Sequence, residues 1–206
     1  PTREESSKLW EKACTDLEII VDKDKTFYVA SFHLAEMKAK LEKFDAAILY
    51  YDTFLDKFQD YVKEQKQSGS NVRAEELYIE TRIKRSLCAM KIEDFPMAQD
   101  DLQHVVELIT DLLSNTVHSP IMHPEKLLQF KAIAHNKLGY CYYRRYRYHD
   151  AIAENTKALG TNPEMLEAYR DRLECHEALG HEAEASEDRR MVEFLKRKMA
   201  VSQPTI

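Results

Sequence analysis

Glycine is scarce in this chain, four among 206 residues, and proline is little more frequent at six. Tight turns and strand corners use both residue types heavily, so a sheet protein is disfavoured and helices are expected. Long apolar runs are also missing. No stretch approaches the roughly 20 residues of a membrane span, so membrane insertion is not expected, and no basic start followed by an apolar segment suggests a secretory signal. An excess of positive charge is absent. Thirty Lys and Arg against 36 Asp and Glu give a formal charge of −6, which disfavours a general nucleic-acid binder. The four cysteines show no close pairing, which predicts reduced thiols in a cytoplasmic or nuclear setting rather than a disulfide framework.

Catalytic motifs are missing as well. The sequence has no Gly-rich phosphate loop, no G-x-S-x-G, no paired Cys/His motif, and neither H-x-x-x-H nor C-x-x-C. His118 and His123 flank a proline-containing segment and His149 precedes Asp150, which reads as a helix N-cap. No catalytic residue, metal ligand or cofactor is expected. Acidic residues such as Glu182, Glu184 and Glu187 read as solvated helix faces.

What the chain does contain is recurrence. Ala13, Ala47, Ala98, Ala151 and Ala185 each stand early in a helical pattern, at successive spacings of 34, 51, 53 and 34 residues. A fixed period marks stacked copies of one supersecondary unit, each burying its apolar face on its neighbours. The clearest copy runs from Ala132 to Met165. It carries Leu138-Gly139, Tyr142, Tyr148, Ala151, Ala158-Leu159 and Asn162-Pro163. In it the small Gly139 and Ala151 let two helices approach, the two tyrosines fill the space between them, and Asn162-Pro163 starts the next helix.

These residues, at this spacing, resemble the tetratricopeptide repeat; His135 departs from the large aromatic common at its position. The same frame fits Tyr28–Tyr61 through Leu34-Ala35, Phe44, Ala47, Tyr51 and Phe54-Leu55. It fits Ile79–Leu112 through Phe95, Ala98, Leu102 and Val105, with Ser86 in the glycine position, and Leu166–Met199 through Ala168-Tyr169, Ala178-Leu179-Gly180 and Ala185. Residues 6–25 read as a second helix alone, with Ala13, Leu17 and Ile20 on one face. The resemblance implies an all-α, right-handed solenoid of antiparallel helix pairs. We expect one domain over 1–206: a half-repeat at 6–25, repeats at 28–61, 79–112, 132–165 and 166–199, and elongated connections near 62–78 and 113–131.

The long spacings are read as longer helices. The apolar pattern after Phe44 continues to about Gln67, and Asn71 then caps a helix from about Val72 to Lys91. A helix from Pro96 to about Leu113 is followed by a looser connection, and the next starts at Pro124. The last is expected over Glu182–Met199, with Ala185, Met191, Val192 and Leu195 inward and Arg189, Arg190, Lys196, Arg197 and Lys198 toward water. Cys88, Cys141 and Cys175 share one repeat position, two residues after Ser86, Gly139 and Leu173, which suits buried packing.

In the tetratricopeptide family the first helices line a concave groove that holds an extended peptide or a partner helix. Carried over by repeat position, the groove residues are Phe32, Glu36, Ile83, Lys84, Leu87, Asn136, Lys137, Tyr140, Tyr143, Arg144, Arg170 and Glu174. The peptide-binding set chosen from them is Lys84, Leu87, Asn136, Lys137, Tyr140, Tyr143, Arg144 and Arg170. Its cations form a basic strip suited to an acidic partner. A chaperone-type carboxylate clamp is disfavoured, because Phe32, Glu36 and Ile83 do not match it. The expected function is a non-catalytic protein-interaction scaffold within a larger adaptor, cytoskeletal or assembly protein. The Tyr/Arg run 140–148, where aromatic and basic residues interleave, reads as a peptide-binding patch or as repeat packing, and two alternatives stay open: self-assembly through the ends of the stack or the Tyr-rich face, and RNA binding through that run.

Overall fold

A computed structural model describes residues 3–23, 28–67, 74–114 and 123–201. Among these residues nine helices and no strand are present: α1 (Arg3–Lys23), α2 (Tyr28–Lys40), α3 (Phe44–Gln67), α4 (Ala74–Lys91), α5 (Phe95–Ser114), α6 (Pro124–Arg144), α7 (Tyr148–Thr161), α8 (Leu166–Leu179) and α9 (Glu182–Val201). The continued apolar pattern does carry α3 to Gln67, and Pro124 does open α6, where its missing N–H is harmless. Asn71 and His118 lie outside the described residues.

The chain divides into two compact units, residues 1–101 and 102–206, with the boundary inside α5. In the first, α1 packs on α2, α2 on α3 and α3 on α4; in the second, α6 packs on α7, α7 on α8 and α8 on α9, and α6 also reaches α8. Links of two to four residues between packed neighbours, such as 145–147 and 180–181, make those pairs antiparallel.

Four of the turns close in the same way. A backbone N–H reaches back five residues to a carbonyl in Lys43→Lys38 (2.9 Å), Asp94→Ala89 (2.9 Å), Arg147→Tyr142 (3.0 Å) and His181→His176 (2.9 Å). In each, the preceding residue is left-handed: Glu42 at φ 59°, Glu93 at 62°, Tyr146 at 59° and Gly180 at 73°. This is the αL helix stop, and glycine is its favoured residue. Five residues further on stand Ala47, Ala98, Ala151 and Ala185, all buried. Their N–H groups complete the first helical turn onto Lys43, Asp94, Arg147 and His181. Ala13 is different. It is half-buried, while Cys14 beside it is buried, and α1 packs chiefly on α2.

Two expected caps are corrected. Asp150 is not an N-cap: α7 begins two residues earlier, and the Asp150 carboxylate accepts from Arg147 Nε at 2.7 Å. Asn162-Pro163 does not open α8. Asn162 Oδ1 accepts from the Glu164 N–H at 3.1 Å, forming an Asx turn that delays the helix to Leu166.

The acidic residues are not all solvated. Three positions past the repeat alanine, Asp101 and Asp188 are buried and Glu154 is half-buried. Asp101 accepts from Arg82 and Arg85, Asp188 from both sides of the Arg172 guanidinium (2.7 and 2.9 Å), and Glu154 from His135 (2.7 Å) and Lys157. Each donor other than Lys157 sits 16 or 19 residues upstream, on the preceding helix. Burial pushes the Glu154 carboxyl up, but the hydrogen bonds from His135 and Lys157 outweigh it, and the group lies below its ordinary value.

Candidate functional site

In the first unit the sequence-selected Lys84 and Leu87 line a real cleft of about 240 Å³. α2 supplies Glu36, Ala39 and Lys40, α3 supplies Phe44 and Tyr51, and α4 supplies Lys84, Leu87, Cys88 and Lys91. The helical period explains the set, since Lys84, Leu87, Cys88 and Lys91 follow the three- and four-residue steps of one face. Tyr51 and Cys88 are buried and form the apolar floor, while Leu87 is 39% exposed. The cations are not equivalent. Lys84 is held by Glu36 and by Glu80 (3.2 Å), and its Nζ lies 5.4 Å from the Phe32 ring centre. Burial opposes its charge, but the two carboxylates prevail and hold its pKa above the ordinary value. Lys40 rests over Trp10 at 4.6 Å, and Lys91 is exposed at the rim. Phe32 and Ile83, expected to face the groove, are instead buried in the core. Phe32 packs against Tyr51 and Phe54 at ring distances of 6.1 and 5.9 Å.

In the second unit α6 and α8 present the remaining residues. Asn136 is fully buried. Its Nδ2 donates to Asn155 Oδ1 (2.9 Å) and Asp171 Oδ2 (2.7 Å), so it ties three helices together and is not open to a ligand. Lys137, Tyr140 and Tyr143 are half-buried; Arg144 and Arg170 are exposed. Arg144 donates to the Tyr140 hydroxyl at 2.9 Å, and Tyr143 packs on Tyr148 at 5.9 Å. Burial, together with Glu174, whose carboxylate accepts its hydroxyl proton, raises the Tyr143 pKa. Asp171 lies above its ordinary value because burial outweighs Asn136 and Lys137. The face is therefore mixed in charge, with Asp171 and Glu174 on the same helices as the cations Lys137, Arg144 and Arg170.

The shared cysteine position is a packing position. Cys88, Cys141 and Cys175 are buried, and burial pushes their thiols to about 11, 12 and 12. Thiols held protonated in this way are poor nucleophiles. Among the described residues no cluster of three or more His, Cys, Asp or Glu is placed to hold a metal, and no helix is long and apolar enough to cross a membrane.

No protein family and no curated protein matches the sequence. Solved structures do match. The chain is similar to the crystal structure of MamA, with a TM-score of 0.67 at 17% identity over 96% of this chain and 95% of that one. It is also similar to MamA 41-end from Desulfovibrio magneticus RS-1, with a TM-score of 0.66 at 16% identity over 95% and 88%. BtubC (BKLC) from P. vanneervenii gives 0.53 at 12% identity over 100% and 95%. At such identities the likeness is one of fold. The fold is an all-α solenoid of antiparallel helix pairs, as the repeat resemblance led us to expect.

Proposed function

We propose that this chain is a non-catalytic scaffold that holds a segment of a protein partner, and that the cleft between α2, α3 and α4 is one of its seats. The observation that carries this reading is the cleft's composition. An apolar floor of Ala39, Phe44, Tyr51 and Cys88 opens between Leu87 and a rim bearing Lys40 and Lys91. That pairing suits a segment with one aliphatic anchor flanked by carboxylates, because apolar anchors in pockets supply most interface energy and rim charges supply selectivity. Lys84, already engaged by Glu36 and Glu80, positions the wall more than it adds charge. In the second unit Lys137, Tyr140, Tyr143, Arg144 and Arg170 form a separate candidate set, and with Asp171 and Glu174 on the same helices the mixed charge suits a partner carrying both signs. The test is fluorescence anisotropy with a labelled leucine-and-glutamate peptide. Lys40→Glu with Lys91→Glu weakens binding by about tenfold or more, since each reversal replaces attraction with repulsion. Unchanged affinity in that variant rejects the cleft.

A second reading rests on α1. Leu9, Trp10, Ile19 and Ile20 are 37–64% exposed, so this helix carries apolar surface suited to a second copy. Light scattering of wild type against Ile19→Glu/Ile20→Glu separates the readings: a concentration-dependent mass that the variant abolishes favours self-assembly, and a strict monomer removes it.

A further inference from the structure

The four αL turns share one geometry but not one chemistry. The left-handed residue is Glu42, Glu93 and Gly180 in three of them and Tyr146 in the fourth. The residue before it is Leu41, Ile92 and Leu179 in the same three, and Arg145 in the fourth. One turn has therefore exchanged an apolar residue for a cation, and an acid or glycine for a large aromatic. The fold asks for neither change. Tyr146 is 80% exposed, in a backbone conformation that bulky residues rarely adopt, and the other turns close with the same five-residue hydrogen bond without it.

What the exchange builds is a surface. The Tyr146 and Tyr148 rings stand at 89° with centres 6.3 Å apart, forming an open aromatic corner. Arg145 and Arg147 adjoin Tyr146 in the chain, and both are exposed. The Arg147 guanidinium lies 4.7 Å from the Tyr142 ring centre and also donates to Asp150, so its direction is set before any ligand arrives. Exposed aromatic rings receive proline side chains, and guanidinium groups nearby in the chain, Arg147 already oriented by Asp150, add an attraction for carboxylates. We propose that the α6–α7 turn is a second interaction surface, separate from the cleft, and that it recognises an acidic, proline-containing segment of a protein partner.

A nucleic acid would meet the same rings, but the charge favours a peptide. The arginines at 144, 145 and 147, against Asp150, can neutralise few phosphates, and the chain as a whole carries −6.

The test replaces the unusual turn with residues that the other turns use, Arg145→Leu together with Tyr146→Gly. Binding of a labelled peptide alternating glutamate and proline is followed by anisotropy at low ionic strength. All proteins in the series also carry Lys91→Glu, which weakens the cleft as a competing seat. The expected result is binding by the parent that the turn variant weakens by about tenfold or more, with a melting temperature equal to or above the parent's. An equal affinity, or no binding by the parent, overturns the proposal. So does a lower melting temperature in the variant, which would give these side chains a structural role. Oligouridine RNA binding the parent more tightly than the peptide, with a steep loss in salt, overturns the peptide as occupant.

Discussion

Gly139 and Gly160 receive the same substitution with opposite results. Both lie in helices, α6 and α7. A Cβ placed on Gly139 would stand 2.6 Å from Asn155 Nδ2, 3.0 Å from Asn155 Cγ and 3.2 Å from the Ala151 carbonyl oxygen; around Gly160 nothing lies within 4 Å. Asn155 cannot swing aside cheaply. It is fully buried, its Nδ2 donates to the Ala151 carbonyl at 3.1 Å, and its Oδ1 accepts from Asn136 at 2.9 Å. Gly139→Ala therefore pushes α6 from α7 or breaks one of these bonds. Overpacking costs about 1–3 kcal/mol and a buried polar group left unpaired about 1–3 kcal/mol, while alanine regains about 1 kcal/mol of helix propensity. With both costs incurred the net expectation is a loss of about 1–5 kcal/mol for Gly139→Ala, against a gain of about 0.5–1 kcal/mol for Gly160→Ala. Urea denaturation followed by circular dichroism reads both, provided the slope with denaturant is unchanged. In a double-mutant cycle Asn155→Ala should recover part of the loss at Gly139. If Gly139→Ala stabilises as Gly160→Ala does, the close approach of α6 and α7 at this point is refuted.

Other outcomes follow from the same packing. Ala151→Leu inserts three heavy atoms at a fully buried position and costs about 1–3 kcal/mol by urea denaturation. Arg172→Met keeps the side-chain bulk but leaves the buried Asp188 without its bidentate partner, a loss of about 3–5 kcal/mol measured the same way. Glu42→Gly relieves a left-handed backbone at φ 59° and gains about 0.5–1 kcal/mol after the added freedom of the unfolded chain is deducted, read as a raised melting temperature. His176 titrates below its ordinary 6.5 because of burial, opposed by Asp188 and Glu184 and reinforced by Arg172 and the neighbouring His181. The unfolded chain then takes up its proton first, so stability at neutral pH is lost as pH falls through 6.5 toward the folded value, and His176→Gln flattens that part of the profile.

The helices were legible because small residues at a fixed position and apolar residues at helical steps leave a mark in the chain. Ala47, Ala98, Ala151 and Ala185 are that mark, and Pro124 gives a boundary to the residue. Residues whose surroundings come from distant helices were not legible. Asp101 and Asp188 look like any solvated acid until Arg85 and Arg172, each 16 residues upstream, are seen to meet them; an acid three residues past the repeat alanine with an arginine 16 before it is the signal that was available. Asn136 occupies a groove position by count, yet Asn155 and Asp171 enclose it. Lys84 lines the cleft, but Glu36, 48 residues away, takes up its charge. The αL turns gave no glycine to read at Glu42, Glu93 or Tyr146, because the hydrogen bonds around each turn hold the strained backbone in place.

The central claim is that a protein partner sits against Leu87 in the cleft of the first unit. A photo-crosslinking residue at position 87, with mapping of the trapped peptide, asks this directly, and the same residue at Leu49, an exposed position on α3 outside the cleft lining, serves as the control. The expected result is an adduct at 87, absent at 49 and lost with Lys40→Glu/Lys91→Glu, whose trapped segment carries an aliphatic residue beside carboxylates. Equal trapping at both positions, or a trapped segment rich in lysine and arginine, contradicts it.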